Sequence, residues 1–368
     1  MRALVYQGEQ QLQFSTALEV RDPQLGEVLV RIVASGLCHS DLSVVNGTIP
    51  WSAPAVLGHE GAGVVEKVGP GVTRLRPGDH VVLHTLANCG HCAHCDVGQP
   101  THCHATLGNR AAPFTLDGVP VSNFAATSSF AEYTVVRQEQ AIAIAPDVPL
   151  TAACLIGCGV LTGVGAVLNR AKVAAGQSAA VIGLGGVGLN VIQGLRIAGA
   201  SRIVAVDTVV EKRALAESFG ATDFIDAKAG PVAEQIRDLL PHSATQRSGV
   251  FGAGGVDWVF ECTGNPKVLQ GALQALDWGG TCVIVGIPPR SATLELPIEY
   301  MAYVDRGIIG CRYGSSRPQA DIPMLVGLYQ RGVLKLDELV TQQYPIEQYA
   351  RAFEDLECGR LARGVLTF

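Results

Sequence analysis

VIGLGGVGLNVIQGLRIAGASRIVAVD, residues 181–207, decides the fold of this 368-residue chain. A short apolar run precedes Gly183, and glycine there supplies a tight turn. Gly185 lets the backbone approach a pyrophosphate, Gly186 and Val187 continue the loop, and Gly188 removes a side chain where a helix must press on a strand. The helical spacing of LNVIQGLRIAG follows, so the pyrophosphate would rest on a helix N-terminus. A second apolar run ends at Asp207, 24 positions beyond Gly183. That spacing makes the stretch a dinucleotide-binding fingerprint. A carboxylate at Asp207 accepts hydrogen bonds from ribose hydroxyls and repels a 2′-phosphate. Thr208, Val209 and Val210 offer no cation to hold such a phosphate, so NAD is expected rather than NADP. Lys212 is placed to meet the ribose edge.

The same alternation continues after Asp207. EKRALAESFG, PVAEQIRDLLPH and NPKVLQGALQALDWGG are expected helices, the last stopped by its glycines. ATDFID, VDWVFECTG, TCVIVGIPP and RGIIGCRYGS are expected strands. This is the pattern of a doubly wound parallel sheet in an α/β protein. Residues 1–146 read differently. ALVYQ, LEVRD, EVLVRIVASG, GAGVVEKVG, DHVVLH and AEYTVV are short β-like runs separated by Gly, Pro and Asp. They predict a compact, partly closed antiparallel sheet module with its chemistry on loops. The final ARGVLTF is expected to return to that module.

The composition excludes several classes of function. Thirty-three acidic against 27 basic residues give a formal charge of −6, which speaks against nucleic acid as a partner. No apolar run reaches membrane-spanning length and the first ten residues do not read as a signal peptide. Eleven cysteines then suggest metal ligation plus buried thiols in a reducing compartment, and a cytoplasmic location is expected.

Cys89, Cys92, Cys95 and Cys103 lie in CGHCAHCDVGQPTHC, enough thiolates for a closed, structural zinc site in a lobe at about 88–104. His91, His94, His102 and His104 intersperse them as alternative ligands. Upstream, GLCHSD (36–41) and GHEGAG (58–63) bring Cys38 and His59, two zinc-ligand types on separate loops. Downstream, Cys158 stands between two glycines at a break in helical spacing, which suits a ligand; Cys154 suits a buried thiol.

Taken together, CHSD, GHE, CGHCAHC, LIGCG, GLGGVG and GVLTF resemble the zinc-dependent alcohol dehydrogenases of the medium-chain dehydrogenase/reductase superfamily, over essentially the whole chain. The resemblance implies a GroES-like catalytic domain, residues 1–159 and 313–368, with a Rossmann domain, 160–312, inserted in it. It implies two zinc ions per subunit and a homodimer or homotetramer formed through the cofactor-domain sheets. By the same resemblance Cys38, His59 and Cys158 hold the catalytic zinc, and Glu60 is a nearby carboxylate or alternate ligand. Asp41 orients His59, and Ser40 bonds the reacting alcohol. His39 and Arg363 meet the pyrophosphate, Thr162 packs on the nicotinamide, and Val285 joins the cofactor contacts.

The implied reaction is reversible oxidation of an alcohol to an aldehyde or ketone: zinc favours the alkoxide, which passes hydride to NAD. Ile49, Trp51, Thr85, Leu86 and Phe130 are expected to line the substrate pocket. Their apolar character puts aryl, terpenoid or medium-chain primary alcohols first. An S-hydroxymethyl thiol adduct is the alternative: no cationic pair for its carboxylate is evident, although Arg110 sits where one would act. A polyol or threonine dehydrogenase, a zinc-free quinone reductase and a non-catalytic binding or structural protein on the same fold are further readings. Many members of the family carry a histidine five residues after the first ligand cysteine. Here that residue is Ser43.

Overall fold

The computed structural model describes residues 1–107, 112–240 and 254–368. The chain forms two compact units, Met1–Leu161 with Ser316–Phe368, and Thr162–Ser315.

The first unit is built on two sheets. In the larger, the ten-residue strand Glu27–Gly36 is central and pairs antiparallel with Glu60–Val68, Tyr133–Arg137 and the closing strand Arg363–Thr367. Val28, Val30 and Ile32 alternate inward against Val65, Val81 and Leu83, so the period-two pattern of EVLVRIVASG is spent on a core. The C-terminal strand does return to the N-terminal module, with Val365 opposite Gly36. That pairing brings Arg363 beneath the loop carrying Cys38 and the start of the strand carrying Glu60. The second sheet holds Ala3–Gly8, Gln11–Ser15, Leu18–Val20 and three short partners. Several of these strands have three residues or fewer, too short for a periodic signal.

The second unit carries one six-stranded, wholly parallel sheet. Its order is Asp223–Asp226, Arg202–Asp207, Ser178–Ile182, Val256–Glu261, Leu276–Ile284, Gly307–Gly310. The AAVI of the first strand and the IVAV of the second are continuously buried, as strands covered on both faces must be. The strand order reverses beside Ser178–Ile182, and GLGGVG leaves the carboxyl end of that strand at the switch point.

One expected helix ends early. Pro266–Ala272 is helical and Leu273–Ala275 tightens into a 3₁₀ turn, but Leu276–Ile284 is already strand. Asp277 and Trp278 fit a helical spacing, yet pairing with Val256–Glu261 decides their backbone. The register jumps from Val256 opposite Leu276 to Trp258 opposite Thr281, a bulge that Gly279 accommodates at φ +73°. The stretch TAACLIGCG is likewise broken: Leu150–Ala153 is α, Cys154–Gly157 is 3₁₀, and Cys158 leaves the helical region at φ −141°, ψ −72°. No single helix among the described residues is long and apolar enough to cross a membrane.

Candidate active site and zinc centres

Cys38 is the N-cap of the helix His39–Val45, and its neighbour Asp41 organises the loop. The fully buried Asp41 carboxylate accepts from the Cys38 amide at 3.2 Å and from the Gly58 amide at 3.1 Å, and its Oδ1 lies 3.1 Å from His59 Nδ1. One side chain therefore fixes both loops and leaves Nε2 as the ligand nitrogen of His59. Gly58 sits at φ +86°, and a Cβ there would lie 2.5 Å from the Phe130 amide. The turn that aims His59 therefore requires glycine. Cys158 is brought in from the third direction by the helix break, where Gly157 packs against the Leu83 carbonyl too closely for any side chain.

The ligand atoms of Cys38, His59, Glu60 and Cys158 all lie within 4.8 Å of one another. In the metal-free chain these groups shift one another's protonation. The Cys158 thiol, hydrogen-bonded to Cys38, holds Cys38 well below the usual thiol range, and His59 adds to this. Cys158 is pushed up by that same hydrogen bond and by burial. His59 is raised despite burial, because Asp41 and Cys38 face it. Glu60 is fully buried, and desolvation pushes its carboxyl up to about 7 against the pull of Arg363. Arg363 Nη2 donates to Glu60 Oε2, while Glu60 Oε1 and Arg363 Nε have no partner. A buried carboxylate oxygen left unpaired beside two sulfurs and an imidazole fits a metal ion. With Cys38, His59 and Cys158 as ligands, a fourth position stays available.

The lobe cysteines form a second group within 4.8 Å. The Cys92–Cys95 and Cys89–Cys103 sulfurs are 3.6 and 3.7 Å apart. Thiolates at about 2.3 Å from one zinc stand about 3.8 Å apart in a tetrahedron, whereas a disulfide needs about 2.05 Å. The Cys89 amide donates to Cys103 Sγ at 3.4 Å and Asn88 Nδ2 to Cys95 Sγ at 3.6 Å. Four thiolates in this arrangement fit a closed zinc site.

Ser40 Oγ is 3.8 Å from Cys38 Sγ. Asp207 caps the glycine loop: it accepts from the Leu184 amide at 2.7 Å and the Val209 amide at 3.0 Å, and pairs with Lys212 at 3.2 Å. The carboxylate thus ties Gly183–Gly188 to the end of the second strand. Gly183 has φ +93°, and a Cβ on Gly188 would overlap the Gly183 carbonyl, so both glycines are dictated by the backbone. Thr162 and Val285 are buried. Arg363, expected at the pyrophosphate, is here buried against Glu60. Cys154 packs as a buried thiol donating to the Thr151 carbonyl.

The pocket lining needs one correction. Phe130 is fully buried under Gly58 and packs edge-on against Phe353, in the core. Phe124 takes the position against the ligands: its ring meets His59 edge-on at 5.6 Å and Trp51 at 4.9 Å. Six residues apart in SNFAATSSF, the two phenylalanines are indistinguishable by sequence. The backbone settles it, because Ala125, Ala126 and Ser128 all take positive φ and turn the chain between them. Ile49 and Trp51 are part-buried around Phe124, Thr85 is part-buried and Leu86 is buried. Arg110 lies outside the described residues. His84, adjacent to Thr85, is a neutral core histidine: burial pushes it down to about 4, and it spans the Glu139 carbonyl and the Leu86 amide.

Residues 24–147 match the alcohol dehydrogenase GroES-like domain and residues 186–331 the zinc-binding dehydrogenase domain. The chain belongs to the zinc-binding alcohol dehydrogenases of the medium-chain superfamily. It is an oxidoreductase that uses NAD and zinc. Its similarity to the alcohol dehydrogenase class-3 of Cereibacter sphaeroides is 37% identity over 95% of each chain. To the S-(hydroxymethyl)glutathione dehydrogenase of Paracoccus denitrificans it is 38%, again over 95% of each. The crystal structure of benzyl alcohol dehydrogenase from Acinetobacter calcoaceticus superposes with a TM-score of 0.90 at 35% identity, covering 100% of this chain and 99% of that one.

Proposed function

We propose that Cys38, His59 and Cys158 hold the catalytic zinc, Cys89, Cys92, Cys95 and Cys103 a structural zinc, and that the chain oxidises a hydroxymethyl compound with NAD. Zinc supplies Lewis acidity that makes an alcohol ionisable near neutral pH. The protein's residues do the rest. Asp41 holds the His59 tautomer. The Ser40 hydroxyl accepts the alcohol's proton and passes it outward. Glu60 and Arg363 keep a charge pair under the ligands. Asp207 and Lys212 take the adenosine ribose, and the GLGGVG amides take the pyrophosphate.

On substrate class, the relatives named S-(hydroxymethyl)glutathione dehydrogenase and alcohol dehydrogenase class-3 support the thiol-adduct reading better than the aryl, terpenoid or medium-chain alcohols that the sequence put first. We therefore place S-(hydroxymethyl)glutathione first. A specific observation favours aryl alcohols as the second reading: the Trp51–Phe124–His59 edge-to-face stack lines the ligands with aromatic rather than charged groups.

The deciding experiment follows NAD reduction with formaldehyde plus glutathione and, separately, with benzyl alcohol. Glutathione-dependent formaldehyde oxidation with the larger kcat/KM supports the first reading. Turnover of benzyl alcohol alone replaces it with the second. Failure of both on protein holding two zinc ions removes the alcohol-oxidation assignment.

An oligomer is part of the same proposal. The strand Gly307–Gly310 ends its sheet, and Trp278 and Ile298 stand exposed in the same unit, a combination suited to pairing with a second copy. Sedimentation distinguishes dimer from tetramer. Cytoplasmic location accords with eleven cysteines held as thiols.

A further inference from the structure

The four-thiolate arrangement leaves the lobe's histidines unused. His94 lies between Cys92 and Cys95 on the four-residue helix Ala93–Asp96, while His102 and His104 flank Cys103. The His94 ring centroid is 5.5 Å from that of His104 and 5.7 Å from that of His102. Two imidazoles sharing one ion at about 2.0–2.1 Å, with angles from tetrahedral to slightly wider, have centroids about 5.2–5.7 Å apart. His94 is therefore at ligand-sharing distance from both neighbours.

The second observation concerns His102. Its Nδ1 lies 3.1 Å from the Gln99 side-chain carbonyl. Donating Nδ1–H to that oxygen fixes the tautomer with Nε2 free, the arrangement in which metal-binding histidines are held. His94 is half-buried, whereas His102 and His104 are exposed.

We propose that His94, His102 and His104 form a second metal site on this lobe, separate from the thiolate site, for a borderline divalent ion such as zinc, nickel or copper. Imidazole suits these ions, and no carboxylate is required. The site accepts an ion while the four thiolates keep theirs, so the full chain would hold a third.

The test titrates nickel into the full-length, zinc-loaded protein at pH 7.5 by calorimetry, with zinc counted afterwards. One saturable nickel per chain, with two zinc ions retained, is expected. His94→Gln and His104→Gln should each abolish saturation. Gln99→Ala should weaken binding roughly tenfold through the His102 ring. All three variants should keep both zinc ions. Three results would overturn the site: no saturable nickel binding by the unaltered chain, binding undiminished in both histidine variants, or loss of a zinc ion from either. The last would make the imidazoles ligands of the thiolate site instead.

Discussion

The two cysteine sites solve the same coordination problem in opposite ways. The lobe draws its four sulfurs from a segment of fifteen residues, 89–103, and holds them with a few amide–sulfur contacts on part-exposed turns. The Cys38–His59–Cys158 site gathers ligands from three remote segments and is buried among Asp41, Glu60 and Arg363. A local site needs its ion to be ordered, since few apolar side chains surround it. The distributed site is ordered by the sheet and by Asp41 before any ion arrives. Metal loss should therefore cost structure in the first and chemistry in the second.

The largest effect expected is on turnover. Cys38→Ser should lower kcat/KM by about 10³-fold or more, since several kcal/mol of Lewis-acid stabilisation go with the ion. The zinc count should fall from two to one with little change in Tm. A large fall in Tm would show that the buried site is also a structural one and erase the contrast. Cys95→Ser is the reciprocal variant. It should likewise leave one zinc, but lower Tm by about 5 °C or more, and the protein still folded should retain most of its turnover.

Asp41→Asn addresses what organises the buried site. Asp41 receives two amides and faces His59, so the variant should weaken zinc binding at that site by about 10–100-fold, while the lobe keeps its ion. Metal competition with a chelator reads this directly.

The third contrast is in pH dependence. In the metal-free chain both Glu60, up at about 7, and His59, raised by Asp41 and Cys38, bind protons more strongly folded than unfolded. Groups with raised folded pKa values stabilise most below their unfolded values, and this contribution fades as pH rises through the folded ones. Glu60 by itself should thus cost the stripped protein stability as pH rises through about 7, while Cys38, held below the usual thiol range, works in the opposite direction. Glu60→Gln should flatten the part between about 4.5 and 7, as denaturant midpoints across the series would show. Zinc affinity should move the other way, rising with pH, because both thiols must give up their protons.

How much of this was legible beforehand follows the same division. The four thiolates could be read from spacing, and the parallel sheet from apolar runs around GLGGVG, because each is a local pattern. Cys38, His59 and Cys158 have no pattern that joins them, and only the resemblance brought them together. The Glu60–Arg363 pairing joins residues 303 positions apart through the return of the last strand, and no motif records it. Phe124, not Phe130, stands against the ligands because a run of positive-φ residues, invisible in FAATSSF, decides which ring faces them. The helix expected through Trp278 failed because strand pairing outweighed helical spacing there.

The smallest effect concerns the proton's way out. Ser43 sits part-buried on the helix His39–Val45, five residues after Cys38, the position for which the family resemblance implies a histidine in many members, and its carbonyl accepts the Ile49 amide. A serine hydroxyl is neutral across the working range, so position 43 offers no base to take up a proton from the neighbouring Ser40. Introducing the imidazole by Ser43→His should raise kcat a few-fold, about 0.5–1 kcal/mol, with a substrate limited by proton transfer. The gain should be greatest near and above the histidine pKa of about 6.5, where the ring is free to accept, and KM should hold. Below that pH the added ring is charged and the advantage should vanish. A kcat–pH profile for Ser43→His that overlays the parent throughout would show that water already carries the proton as fast as the chemistry requires, and that the missing histidine has no consequence in this chain.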